Sequence, residues 1–331
     1  MISKENRSEN HRNHRKKVLL DVDTGVDDAI GIILAATAPE IELMGITTVS
    51  GNIDLASATI NTLRVLQLLG KEGQYPVHMG ASKPLRRSVR YATEVHGATG
   101  LSDQLQDIPV DLPKGESAED FMITTIDKYP GEITLIMTAP QTNFAKALTK
   151  RPDLGKKLKE IIFMGGVAEG RGNESPRAEF NMAIDPEAAE KILSSGAKIT
   201  MVGLDVTEKA LLTREDLQSL DPNNPLVDFV KKVTADYMKN YYNAHGQYAC
   251  LMHDPLAVSL AINGDFVKTA PYYVAVETNS IYCDGETICD FKGHWKKEPN
   301  VEVALELNHK AFIDFLTKRI QKAGAVYDSA E

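Results

Sequence analysis

Four acidic residues lie within a short stretch near the start of the chain, Asp21-Val22-Asp23-Thr24-Gly25-Val26-Asp27-Asp28. Carboxylates crowded in this way repel one another unless they share protons or gather a cation. Ligands that are all oxygen favour a hard ion, Ca2+ or Mg2+, over zinc. Helix capping is the plain alternative for Asp27 and Asp28, yet a cap needs one acid, not a cluster. Asp21 reads equally well as a neighbour that orients the turn. A second group is Met252-His253-Asp254-Pro255. Asp254 would close an ion site from far along the chain. His253, a side chain that titrates near neutrality, suits protonation of a leaving group. The competing reading is Asp254 as an N-cap with Pro255 in the first helical position. A third group, Glu179-Phe180-Asn181 with Asn173 upstream, offers the donors and acceptors that a hydroxyl-rich ligand needs. A fourth, His96-Gly97-Ala98-Thr99-Gly100, has the glycines of a mobile loop and would carry His96 as a lid. Tyr237, Tyr241, Tyr242 and Tyr248 are available to stack on a ring, with Tyr242 the chosen candidate; packing serves each of them equally.

These groups need a frame that brings them together. Apolar runs at Val18–Leu20, Ile41–Val49, Ile133–Met137, Ile161–Met164 and Ile199–Val202 read as strands. Between them lie helical stretches: Ala29–Ala36 behind its two acids, Leu55–Leu69, a run capped by Ser117 and Asp120 that ends near Tyr129, and Gln141–Leu148. A further helix starts at Asp185-Pro186 and stops at Gly196. Strand and helix alternate, which predicts an α/β fold: a mostly parallel sheet flanked by helices, with a Rossmann-like core. Residues 213–262 read as helical, and 270–306 as a small antiparallel addition turning at Asp284-Gly285, before a closing helix over Ala311–Ala323. In such sheets ligands gather at the carboxyl ends of the strands. The sequence puts Asp21 to Asp28, Asn52, Thr138 with Gln141 and Asn143, and Gly165-Gly166 at those ends.

The 331 residues are 43% hydrophobic and 25% charged, enough to bury a large core in a single domain over 17–331. A net charge of −9 argues against a nucleic-acid partner. Residues 1–16 are polar and basic with no apolar core, which reads as a disordered or non-native tail rather than a secretory signal. No stretch is apolar enough to span a membrane. Three scattered cysteines, Cys250, Cys283 and Cys289, suit a reducing, cytoplasmic setting.

Taken in order, these motifs resemble the inosine-uridine preferring nucleoside hydrolases. The resemblance rests on Asp-x-Asp-x-Gly-x-Asp-Asp at 21–28, Thr-Thr-x-x-Gly-Asn at 47–52, His-Gly-x-x-Gly at 96–100, Met164-Gly165-Gly166, Ala178-Glu179-Phe180-Asn181 with Asp185-Pro186, and His253-Asp254-Pro255. It implies a Ca2+ cofactor held by Asp23, Asp28, Asp254 and the carbonyl of Thr138, with Asp23 also the general base. It implies that Asp27, Asn52, Asn173, Glu179 and Asn181 bind ribose and that Met164 lines the sugar pocket. His253 would assist departure of the base, and His96 would be the lid histidine. A homodimer or homotetramer is implied as well. Two departures from the family pattern are Thr24, where proline is usual, and Thr138-Ala139-Pro140-Gln141-Thr142-Asn143, where a glycine-rich version is usual; neither removes a proposed catalytic group.

The chemistry so implied is hydrolysis of the N-glycosidic bond of a ribonucleoside, purine or pyrimidine, to ribose and free base. A calcium-bound water, deprotonated by Asp23, would attack the sugar carbon as it gains oxocarbenium character. Two other functions fit parts of the sequence. Asp21-Val-Asp23 partly matches the opening of haloacid-dehalogenase-type phosphatases, although Gly25 and the Asp27-Asp28 pair do not. A non-catalytic nucleoside or sugar binder could use the same scaffold.

Overall fold

The computed structural model describes residues 15–328, with side chains as far as Ala323. Its strands are β1 (Lys16–Val22), β2 (Ile41–Thr48), β3 (Val77–Met79), β4 (Ile133–Met137), β5 (Glu160–Met164), β6 (Ile199–Val202), β7 (Leu211–Thr213), β8 (Ala249–Leu251), β9 (Val267–Tyr272), β10 (Val274–Val276), β11 (Thr287–Cys289) and β12 (Val301–Leu307). Eight of them form one sheet in the order β3-β2-β1-β4-β5-β6-β12-β9. Every neighbouring pair is parallel except β12 with β9.

The central strands are apolar without interruption because both faces of the sheet are covered. In β1 the alternation of side chains decides which core each residue joins. Val18, Leu20 and Val22 pack with the helices Val26–Thr37, Pro225–Val233, His253–Ile262 and His309–Asp328, whereas Leu19 faces the helices Ala118–Lys128, Thr142–Lys150 and Pro186–Leu193. The strand order reverses between β1 and β4, and a crevice opens where the connections diverge.

Local signals account for most helix starts. Asp54 accepts from the amides of Ala56 and Ser57 to begin Leu55–Leu68, and Ser117 accepts from Asp120 N. Asp185 caps the helix begun by Pro186, which ends at Leu193, short of the stop expected at Gly196. The first strand starts two residues earlier than expected, at Lys16, which takes in the last residue of the expected tail, while residues 1–14 of that tail lie outside the described residues.

The antiparallel addition expected over 270–306 is divided. β9 and β12 finish the main sheet, and β12 also runs parallel to β6. β10 and β11 form a separate ribbon joined by the long loop 277–286. Asp284-Gly285 does turn, with Glu286 N bonded to Cys283 O at 2.9 Å and Gly285 at φ +82°. It does so inside that loop and not at the end of a tight hairpin. All three cysteines are free. Among the described residues no helix is long and apolar enough to cross a membrane.

Candidate active site

Acidic residues from two distant parts of the chain meet at the carboxyl end of β1. The backbone leaves β1 through Asp23-Thr24-Gly25 and enters the helix Val26–Thr37, where the Gly25 amide donates to Asp28 Oδ2 at 2.9 Å. The helix His253–Ile262 lies against this one and starts at the same place; its Asp254 amide approaches Asp27 Oδ2 at 3.3 Å. Asp254 is thus in the first turn of its helix, two residues past the cap at Met252, and not the N-cap that Asp254-Pro255 suggests. Oxygen atoms of Asp27, Asp28 and Asp254 all lie within 4.8 Å of one another, a geometry able to hold a metal ion.

Asp23 adjoins this trio. It accepts the Asn52 amide at 2.6 Å and the Asn52 side chain at 3.1 Å, and Asn52 also donates to Asp28 at 3.0 Å. Thr138, at the end of β4, donates its hydroxyl to Asp28 Oδ1 at 2.9 Å. Burial and then repulsion by neighbouring acids drive the carboxyls of Asp23 and Asp254 upward and that of Asp27 up to about 7, while burial alone raises Asp28 against the hydrogen bonds it accepts. The described partners of these acids are amides, Asn52, Thr138 and one another, with no lysine or arginine among them. The repulsion among them is relieved either by protons, which the raised carboxyls retain, or by a cation from outside the chain. Four carboxylates with an amide and a hydroxyl nearby are the donor set of a hard divalent cation.

Asp21 is placed behind the cluster. It accepts from Thr47 at 2.6 Å and from Asn143 at 2.8 Å, while its second oxygen is buried without a partner; burial pushes the carboxyl up to about 7. Its contacts tie the end of β1 to β2 and to the helix Thr142–Lys150, and none of them reaches the turn Asp23–Gly25. Two glycines make the close packing here possible. A Cβ on Gly51 would lie 2.0 Å from Asp23 Oδ2, and one on Gly25 would lie 2.5 Å from the His96 ring.

A cavity of about 330 Å³ opens above this floor. Asp27, Asn52, Thr138 and Asp254 reach its wall, while Asp23 and Asp28 lie just beneath. Met164, Asn173, Glu179 and Asn181 form one side. Glu179 caps the short helix Phe180–Ile184, accepting from Asn181 N at 2.9 Å and from Gly166 N at 2.9 Å. Burial pushes Glu179 up to about 7. Asn181 Nδ2 donates to the carbonyls of Thr138 at 3.1 Å and Met164 at 3.2 Å, which ties the ends of β4 and β5 together. Asn173 accepts from Phe180 N at 2.9 Å.

His96 and His253 line the other side. His96 Nδ1 accepts from the Val26 amide at 3.1 Å, so the neutral ring carries its proton on Nε2; burial lowers this histidine to about 3. His253 Nδ1 lies 2.8 Å from the Thr207 hydroxyl, and burial lowers this ring to about 4.

Tyr242 does not join the cavity. It points outward, 42% exposed, and stacks on Tyr248 with ring centres 4.2 Å apart. Tyr237 and Tyr241 line the wall instead, with Asn240. The i, i+4 spacing of Tyr237 and Tyr241 on the helix Ala235–His245 puts them on one face, and that signal was open to the sequence. Glu94, Glu174, Phe180 and Glu208 also line the cavity. Phe180 comes with the motif of Glu179 and Asn181, whereas nothing in the local pattern of Glu94, Glu174 and Glu208 sets them apart from surface charge, because long-range folding alone brings them there.

Comparison with known proteins establishes the family and the fold. The family model for inosine-uridine preferring nucleoside hydrolase matches residues 18–314. The chain belongs to that family, and it is therefore a nucleoside hydrolase, an enzyme that acts on N-glycosyl bonds. Among similar proteins, the pyrimidine-specific ribonucleoside hydrolase RihA of Citrobacter koseri is 36% identical over 305 residues, 92% of this chain and 97% of its own. Among solved structures, the plant nucleoside hydrolase PpNRh1 superposes with a TM-score of 0.88 at 32% identity, covering 92% of this chain and 99% of that one. The purine-preferring ribonucleoside hydrolase from Gardnerella vaginalis has a TM-score of 0.86 at 32% identity, covering 94% and 100%.

Proposed function

We propose that this nucleoside hydrolase releases ribose and free base from ribonucleosides, with Ca2+ held by the acidic floor and Asp23 as the general base. The observation that carries the reading is the convergence of Asp23, Asp27, Asp28 and Asp254 under one cavity with no cationic side chain among their partners. The proposed ligands are Asp23, Asp28, Asp254 and the Thr138 carbonyl, and Asp27 is close enough to Asp28 and Asp254 to join them. When bound, the ion supplies positive charge that offsets the carboxylates and raises the acidity of water beside it.

The chain's own residues do the rest. Asp27, Asn52, Asn173, Glu179 and Asn181 orient the sugar hydroxyls, and Met164 fills the space against the ring. Asp23, held by both Asn52 contacts, accepts the proton of the attacking water. The C1′–N bond breaks with its electron pair going to the base nitrogen, and His253 Nε2 donates towards that nitrogen. His96, whose Nε2–H also points away from its backbone anchor, offers a second donor on the base side. The relatives include pyrimidine-specific and purine-preferring enzymes, so the base range is read from Tyr237, Asn240 and Tyr241 only by assay. Assembly as a homodimer or homotetramer and a cytoplasmic location complete the proposal.

The test is release of reducing sugar from inosine and uridine, with and without chelator, beside phosphate release from a phosphate ester. Asp23→Asn is expected to lower kcat by about 10²–10⁴-fold while ribose still binds. Near-normal turnover by that variant would remove Asp23 from the role of base.

A further inference from the structure

The turn that follows β6 touches both sides of the cavity from behind. Leu204 N donates to Gly166 O at 2.9 Å. The next residue, Asp205, accepts three consecutive amides, from Ala168 at 2.6 Å, Glu169 at 2.9 Å and Gly170 at 3.1 Å. These bonds fix the loop that leads from Met164 to Asn173. Two residues later Thr207, fully buried, holds His253 through Nδ1 at 2.8 Å. Neither Asp205 nor Thr207 lines the cavity. One short turn, Leu204–Thr207, therefore sets the backbone of the sugar side and the ring of the base side.

We infer that Thr207 is a positioning residue for departure of the base: its hydroxyl fixes the His253 ring so that Nε2 is the nitrogen presented to the leaving group. The inference rests on the reading of His253 given above. His253 lines the cavity, and Thr207 is the described partner of its Nδ1, so Nε2 is the ring atom left for substrate. Without the hydroxyl the ring loses its anchor and turns about its side-chain bonds, and Nδ1 is left in a partly buried site with no partner. The step affected is the one in which the C1′–N bond breaks and the base nitrogen takes the electron pair and a proton. A leaving group that is stable as an anion has no need of that proton.

Asp205 supplies the contrast. It belongs to the same turn but holds only the backbone of the loop before Asn173. Loss of Asp205 is expected to loosen sugar binding whatever the leaving group. A mere weakening of the turn would make the two substitutions alike.

The experiment measures kcat and KM for Thr207→Val, Thr207→Ser, Asp205→Asn and His253→Ala in the full chain. One substrate is the better of inosine and uridine, and the other is 4-nitrophenyl β-ribofuranoside, whose phenolate leaves unprotonated. Thr207→Val is expected to lower kcat on the nucleoside roughly 10–100-fold with little change on the nitrophenyl riboside. Thr207→Ser is expected to restore it, and Asp205→Asn to raise KM on both substrates alike. Equal losses on both substrates for Thr207→Val, or no loss on either, overturn the inference. His253→Ala separates the two levels: if it shows the split and Thr207→Val does not, the inference alone fails. If His253→Ala shows no split, the assignment of His253 fails and takes the inference with it. Should the valine variant not fold, the serine variant decides, since loss of nucleoside turnover without recovery by a hydroxyl contradicts an anchoring role.

Discussion

The two ends of the sheet treat carboxylates in opposite ways. At the carboxyl end, Asp23, Asp27, Asp28 and Asp254 are buried together and all are held above their ordinary range. At the other end, Asp127 and Asp153 lie at the surface with Arg151 and Lys157 as partners, and both are held below it. Glu40 is drawn down by Arg319, and Lys17 pairs with Glu132 beside the start of β4. The chain has cations to neutralise acids and places them at the far end of the sheet and, through Arg90 with Glu174, at the cavity wall, but not among the acids of the floor. Among the described residues none of them reaches the floor of the cavity, which is what the ion proposed above requires.

Three tests act on this contrast. The largest effect is expected from removing divalent ions. In the ion-free protein Asp27 is raised from 3.8 to about 7, and its three neighbours are raised too. Between those values the native state binds protons that the unfolded chain has released. Stability without ion therefore falls as pH rises through the window, and is greatest below it. Bound ion replaces the protons, so calcium is expected to raise the thermal midpoint far more at about pH 8 than at about pH 5. A calcium shift that is equal at both pH values breaks the comparison.

An intermediate effect is expected from Gly51→Ala. The added methyl falls on Asp23 Oδ2, so the acid must move while the sheet stays intact. Weaker calcium binding by calorimetry and a lower kcat are expected, with only a small fall in melting temperature, because Gly51 lies outside the helices and strands. The smallest effect is expected from Arg151→Met at the far end. Its pairs with Asp127 and Asp153 are exposed and screened by solvent, so melting and turnover are expected to stay close to those of the parent chain. A large loss there would show that the surface acids matter more than their exposure suggests.

The same contrast explains what could be read from the sequence. Asp21 to Asp28 are neighbours in the chain, and an apolar run before them fixes a buried strand end, so local spacing was enough. His253 and Asp254 were legible because a polar pair stands out in an apolar surround. The parallel core followed from alternating runs that need no long-range information. What escaped depends on direction rather than residue type. Tyr242 and Tyr241 are adjacent and chemically identical, yet the helix turns by about 100° between them, and only Tyr241 faces the cavity. Thr207 looks like any threonine after a strand; its contact with a ring 46 positions further on is set by the packing of the turn Leu204–Thr207 against the helix His253–Ile262. The antiparallel segment was found but not its division, since β12 takes its place beside β6 across a hundred residues of intervening chain, and strand pairing of that range leaves no local trace.

Two helices, Val26–Thr37 and His253–Ile262, begin at the acidic floor, and each contributes roughly half a positive charge at its start. With one divalent ion bound as proposed above and the four carboxylates ionised, they would still fall short of balancing the floor. The pocket would then keep a negative surplus, which favours a sugar as it turns electron-poor and disfavours a ligand that carries phosphate. A nucleoside and its nucleotide would be told apart by the charge of the floor, before any side chain at the entrance meets the 5′ end.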